Sequence, residues 1–436
     1  MRRWIYFSLT AVVSLVLWAT LVFFTTQDGW FHEPLAPFGN TQAFMKAAVK
    51  EINTYYHGNA VLVLIEGGKI FDEYSISVGE PVNSDTLFQV ASLSKWVSAV
   101  GIMTLAEEGK IDLDKPVSDY LTRWSLPESE FDNSGVTIRR LLSHTAGLGG
   151  LSYDGFAPGT DPQSLEDSLT QATDSSWGVK TRIVHAPGSK WEYSGGGYTL
   201  LQLVVEEVTG LSFESYMQQA VLRPLGMSRS TYVIDPDNVT NLATFYNWCG
   251  TPDKHYRYTA LAAASLYTTA ADITRFIQAH LTGPNGEIIG RGVLKPETLR
   301  QMRQPHGSVL IKDVYGLGIF LDTTNKESDF IIGHSGFNDP AINTDARLNP
   351  STGDAIIILN TGNGSLASDL ASEWSFWQTG KIGLGLIKYT YRPMIIAIAV
   401  GWLLIISVIC LIFWQIKISF VPRNFSKKNN IRKIAD

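Results

Sequence analysis

Ser92 and Lys95 stand three residues apart in the stretch FQVASLSKWV, residues 88–97. That spacing puts both side chains on one face of a helix. A serine hydroxyl attacks a carbonyl only when a base takes its proton. A lysine drawn into apolar surroundings loses its charge and can be that base. The helix expected from about Ser92 to near Gly109 is apolar almost all round, with Trp96, Val97, Val100, Ile102, Met103 and Leu105, the composition of a buried helix. A serine at its start would lie among free backbone N–H groups that can stabilise a developing oxyanion. The pattern occurs once in the chain, and about one or two chance matches are expected at this length. On these four residues alone, the competing reading is a serine N-cap and a lysine whose amine reaches solvent.

Three further stretches bear on the choice. In WEYSGGGYTLLQLVVEEVTG, residues 191–210, Tyr193 opens a Gly-rich turn before an apolar helix. It is either a core aromatic or a proton shuttle facing a cleft, and Gly195, Gly196 and Gly197 allow close approach of backbone or ligand. In IIGHSGFN, residues 331–338, a strand ends in His334-Ser335-Gly336. A nucleophile elbow on Ser335 is the rival there. It fails because Phe337 stands where the last glycine belongs and a strand follows instead of a helix. In IIILNTGNGSLA, residues 356–367, Gly362 and Gly364 form part of a dinucleotide fingerprint, but no acidic residue ends a second strand downstream, so it reads as a strand-to-helix turn. The eight histidines are scattered without metal-ligand spacing, so neither a metal nor a cofactor is expected.

These residues need a scaffold. AVLVLIEGGKIFDEYSI reads as a β-hairpin turning at Gly67-Gly68. Residues 41–56 are helical, and residues 110–310 are mostly helices and loops, with TLLQLVVEEVTG and AADITRFIQAHL the clearest helices. From about 314, VYGLGIFLD, DFIIGH, AINTDARLNP and DAIIILN read as four strands, and a helix from about Leu366 to Gln378 follows. Strands at both ends with helices between them predict an α+β domain over 41–380, its sheet built from distant parts of the chain.

Two segments, Trp4–Phe24 and Met394–Trp414, each run 21 residues without a charge, long enough to cross a bilayer. The first exceeds a usual signal-peptide core and lacks a small-residue cleavage site after Phe24. It reads as an uncleaved anchor (1–24), followed by a linker (25–40). Arg2 and Arg3 precede it, and a basic tail, 415–436, follows the second span. Both termini are therefore expected in the cytoplasm and the domain outside, although Lys381, Lys388 and Arg392 on the outer flank weaken that orientation. Setting aside +2 at the start and +5 in the tail, the formal −6 becomes −13 for the outer part. Such acidity argues against a nucleic-acid partner. Cys249 is alone in the outer domain, since Cys410 lies in the second span; sequons stand at Asn238 and Asn363.

The order Ser92-Leu93-Ser94-Lys95, Tyr193-Ser194-Gly195, His334-Ser335-Gly336 resembles the serine β-lactamase and penicillin-binding protein superfamily. Within it, the class C-like branch of DD-peptidases, esterases and D-amino-acid peptidases is most similar. LLSHTAGL at 141–148, RPLGM at 223–227 and LYTTAADITRF at 266–276 look similar too, and the resemblance covers about residues 40–378. It implies a β-lactamase/transpeptidase-like fold, an antiparallel sheet flanked by helices with a mostly helical insert. It implies hydrolysis of an ester or amide carbonyl in a small-molecule or peptide substrate. Ser92 would be acylated, with Lys95 and Tyr193 moving the proton and His334 orienting the tyrosine side. Ser335 would bind a substrate carboxylate or carbonyl, beside Gly336, and the backbone N–H groups of Ser92 and Phe337 would hold the oxyanion. His144 resembles a structural position. The family's second motif usually ends in asparagine, and Gly195 stands there, which puts recognition of a β-lactam or acyl-D-Ala-D-Ala amide in doubt. The alternative is a sensor that is acylated without efficient turnover.

Overall fold

The computed structural model describes residues 2–150, 152–175, 180–235, 239–324, 329–339 and 341–419. Asn238 and the tail from 420 onward lie outside these residues. Two units emerge: the paired chain ends (1–33 with 387–436) and Pro34–Leu386.

The second unit is built on an eight-stranded sheet. Its order is Lys69–Ile76, Ala60–Glu66, Ala355–Thr361, Ile342–Leu348, Phe330–Asn338, Phe320–Thr324, Lys312–Tyr315 and Gly307–Val309. Every neighbouring pair is antiparallel. The N-terminal hairpin thus joins the sheet against its last strand, as Ala60 opposite Asn360 and Leu64 opposite Ile356. These two paired strands are apolar over residues 60–65 and 355–359 because both faces are covered. Val61, Val63, Ile357 and Leu359 enter the core shared with the helical region. Leu62, Leu64, Ile356 and Ile358 enter the core under helices Thr41–Tyr55 and Leu366–Thr379. Alternation between two cores is the period-2 rule applied to a strand buried on both sides.

Three local expectations are corrected. VYGLGIFLD is two strands, Lys312–Tyr315 and Phe320–Thr324, and the former pairs with Gly307–Val309 in a hairpin the sequence reading did not contain. His334 does not sit at a strand end, because the strand runs on to Asn338. Ser92 does not open the α-helix: it lies in a 3-10 turn, Ala91–Leu93, and the helix proper is Ser94–Glu107.

In the first unit, helices Arg2–Gln27 and Ile387–Ser419 run antiparallel. Trp18 Nε1 donates to the Ala397 carbonyl at 3.1 Å, Trp402 Nε1 donates to the Leu15 carbonyl at 3.0 Å, and Phe7 lies against Phe413. Both are long and apolar enough to cross a membrane by length and composition.

Candidate active site

The turn that carries Ser92 is held under strain. Ala91, just before it, has φ +46°, a region in which a Cβ is crowded by neighbouring backbone. Two buried side chains hold it there. Gln89 accepts from the Ala91 N–H at 3.0 Å and donates to the Ala264 carbonyl. Ser94 donates to the Ala91 carbonyl and accepts from the Leu266 N–H at 2.9 Å. Ser92 itself is half-buried between fully buried Ala91 and Leu93. The sequence reading missed Gln89. Its type and place, three residues before Ser92 at the end of a short strand, carry no signal that separates it from any other core glutamine.

Lys95 lies on the first turn of a helix whose residues 94–105 are all buried. Its Nζ is 3.1 Å from Ser92 Oγ and donates to the Ala263 carbonyl at 2.7 Å. It also lies 4.9 Å from the centre of the Tyr193 ring and 5.6 Å from that of Tyr198. It has no ion-pair partner among the described residues. Burial with no compensating carboxylate brings its pKa down to about 7. A neutral amine there has an N–H for the Ala263 carbonyl and a lone pair for the Ser92 hydroxyl.

Tyr193 precedes the helix Gly195–Thr209, which Ser194 caps by accepting from the Gly197 N–H. Burial raises its phenol above the ordinary value, and the nearby Ser92 hydroxyl only partly offsets this. The Tyr193 hydroxyl is buried and has no partner of ordinary hydrogen-bond geometry among the described residues. A neutral phenol at this point is a proton donor, not a base. His144 positions the backbone beside it: Nδ1 accepts from the Ser194 N–H at 3.1 Å, and its ring centre lies 4.3 Å from that of Tyr193.

His334 reaches the cluster differently from the sequence expectation. Its Nδ1 lies 2.6 Å from the Ser335 carbonyl, which can only accept, so Nδ1 carries the proton. Nε2 then accepts from the Tyr315 hydroxyl at 3.0 Å. Both nitrogens are occupied without Tyr193, whose ring centre is 6.2 Å away. Burial, with the Lys95 charge adding to it, lowers the imidazole to about 3 despite the Ser335 carbonyl. His334 is therefore neutral and acts through packing. Tyr315 meets Phe320 edge-on, and Phe320 stacks on Tyr193 at 6.1 Å and 9°. Tyr198 and Tyr315 complete this aromatic floor, and nothing in residue type or spacing distinguished them from core residues.

Gly336 shows why the strand can pass so close to the nucleophile turn. A Cβ there would collide with the Val90 carbonyl, which also accepts from the Thr344 hydroxyl at 2.9 Å. The neighbouring strand Phe320–Thr324 pairs only as far as Gly333, so among the described strands residues 334–338 have a partner on one side alone. Ser335 is half-buried on the face it shares with Phe337, whose ring is 58% exposed and lies 6.2 Å from Trp248. The Gly362–Gly364 stretch is already filled: a Cβ at Gly364 would strike the Trp248 indole.

The family model for Beta-lactamase matches residues 43–375. A penicillin-binding protein of Bacillus subtilis (strain 168) is 29% identical over 222 residues, 48% of this chain and 46% of that protein. Esterase EstB of Burkholderia gladioli is 32% identical over 166 residues, 36% of this chain and 41% of that protein. The chain thus spans less than half the length of these two curated relatives. Among solved structures, the octameric penicillin-binding protein homologue from Pyrococcus abyssi superposes with a TM-score of 0.64 at 21% identity, covering 81% of this chain and 80% of that one. A β-lactamase/D-alanine carboxypeptidase from Pseudomonas syringae gives 0.60 at 18%, covering 76% and 97%. The chain belongs to the serine β-lactamase and penicillin-binding protein superfamily, and its fold is the β-lactamase/transpeptidase-like one.

Proposed function

We propose that this protein is a membrane-anchored serine hydrolase working outside the cytoplasm, which cleaves an ester or amide carbonyl through an acyl-enzyme on Ser92. The observation that carries the reading is the Lys95 amine, 3.1 Å from Ser92 Oγ and brought to about 7 by burial alone. Neutral Lys95 takes the hydroxyl proton as Ser92 Oγ bonds to the carbonyl carbon. The oxyanion forms beside the Ser92 and Phe337 N–H groups, whose pre-set direction stabilises charge without reorganisation. The proton on Lys95 then passes to the leaving oxygen or nitrogen, with the neutral Tyr193 phenol as the relay, and the acyl group stays on Ser92 until water removes it. The anchoring half of the reading rests on the two apolar helices, whose antiparallel packing puts their outer ends on one side, and on the basic residues flanking them.

The test uses the full-length protein in detergent, with a fluorophosphonate probe and, separately, labelled penicillin. Wild type is expected to be labelled by the fluorophosphonate, and Ser92→Ala and Lys95→Ala are not. No labelling of wild type by either reagent removes the nucleophile. Stable labelling without turnover of any ester or peptide turns the reading into that of an acylated sensor.

A further inference from the structure

The strands of the catalytic unit have two unlike ends. At one lie Ser92, His334 and the start of helix Leu366–Thr379. At the other lies the end of that helix, and both chain connections to the apolar helices leave from there. On the entering side, the Pro37 carbonyl accepts from Trp377 Nε1 at 2.8 Å, and Phe38 packs on Phe376 at 5.9 Å. On the leaving side, the Ile382 carbonyl accepts from Lys312 Nζ at 3.3 Å. From Ile382 only five residues remain to Ile387, where the long helix begins, a reach of at most about 17 Å. Lys388, Tyr389, Tyr391 and Arg392 open that helix, the residue types that settle at a membrane–water boundary.

The Lys312 contact brings a second feature to this end. Lys312 closes the hairpin Gly307–Val309/Lys312–Tyr315, whose tip is Leu310-Ile311. These two side chains are 97% and 96% exposed, and Leu310 takes φ +54°. Tyr315, at the hairpin's other end, donates to His334. Four residue steps, from Tyr315 to Ile311, put the tip about 13 Å farther from the site. Val309 and Phe38 are exposed at the same end. A strained turn that presents two adjacent large aliphatics wholly to solvent is not explained by packing within the unit. Isolated exposed leucines are ordinary, but a cluster marks an interaction surface.

We infer that the hairpin tip Leu310-Ile311 is seated in the interfacial layer of the lipid bilayer, as a third attachment beside the two spans. This rests on the membrane-anchored reading above. Lys381, exposed beside the exit of the chain, suits anionic headgroups. The consequence for function is orientation: with the tip in lipid, Ser92 lies at the end of the sheet away from the bilayer.

The test places an environment-sensitive fluorophore on single cysteines of the full-length protein, reconstituted in vesicles of phosphatidylcholine with one-fifth phosphatidylglycerol. The two native cysteines are both exposed and serve as references. Cys410 lies in the span, and Cys249 adjoins Trp248 at the site end. The tip is labelled through Leu310→Cys, and separately Ile311→Cys, in a chain carrying Cys249→Ser and Cys410→Ser. Spin-labelled lipids with the label near the headgroup should quench the tip probes at least twofold more than the Cys249 probe. Deep spin labels should quench the Cys410 probe. Tip probes that behave like Cys249 while Cys410 is quenched overturn the seating alone. A Cys410 probe that is not quenched removes the membrane anchoring and the seating with it.

Discussion

Two cations are desolvated in the catalytic unit, Lys95 fully and Arg347 with 14% of its side chain exposed, and they have opposite fates. Arg347 lies between the sheet and helix Leu366–Thr379. It pairs with Asp322 and Asp345 and donates to Ser375 at 2.9 Å and Ser372 at 3.2 Å. Burial by itself would lower its guanidinium, but Asp345 and Asp322 outweigh that and hold it above the usual value. Lys95 meets one carbonyl, one hydroxyl and two aromatic faces, and burial lowers it to about 7. The same desolvation acts on both. Carboxylates in contact make the first a permanent charge that ties elements together; their absence makes the second a base.

The comparison breaks most visibly by truncating each cation in turn. Arg347→Met leaves the buried Asp345 and the partly buried Asp322 without their cation, and a loss of roughly 3–5 kcal/mol is expected in denaturant unfolding. Lys95→Met removes a group that is buried at a cost, so the fold survives while the rate of Ser92 acylation by a fluorophosphonate falls about 10²–10⁴-fold. A Lys95→Met protein that unfolds as Arg347→Met does would show that the two sites are alike.

The next largest effect is in pH. Acylation needs neutral Lys95, so its rate should rise about tenfold per unit below pH 7 and level off above. Stability carries the same signature with a defined sign. Between about 7 and 10.5 the unfolded chain holds a proton on Lys95 that the folded chain has released, so this group's contribution to stability grows with pH. The thermal advantage of Lys95→Met over wild type should therefore be largest near pH 6 and shrink towards pH 10. An advantage independent of pH would mean that Lys95 is charged in the fold.

The smallest effect sharpens the Lys95 side of the contrast. Ala91→Gly relieves a left-handed φ that costs an L-residue about 1–2 kcal/mol. The variant should melt slightly higher and acylate more slowly, because Gln89 and Ser94 then hold a looser turn. Faster acylation would show that the strain opposes the geometry that places Ser92 near Lys95.

The sequence marked Ser92 and Lys95 by spacing, and the apolar helix around them already implied burial. Tyr193 and His334 were legible as chemistry-bearing types at turns and strands. The supporting residues were not, because Gln89, Tyr198 and Tyr315 matter through partners 19 to 175 residues away and look like ordinary core residues. The hairpin at 307–315 was hidden for a similar reason. Its tip, Leu310-Ile311, lies at the boundary between the region read as helices and loops and the strands read from about 314, and exposure is not written in residue type.

By itself, the sequence determined where the chain can cross a membrane and that strands from both ends share one sheet. It also determined that a serine and a lysine lie one helical turn apart. The spans and the Ser–Lys spacing follow from local periodicity and composition; the shared sheet was expected from the order of strands and helices along the chain. Only the tertiary structure decided that no carboxylate among the described residues meets Lys95, that His334 spends both nitrogens on Ser335 and Tyr315, and that Gly336 lets the strand touch the nucleophile turn. Each is a question of what stands opposite a side chain in space, and a pKa or a hydrogen bond is set by that neighbour, not by the residue alone.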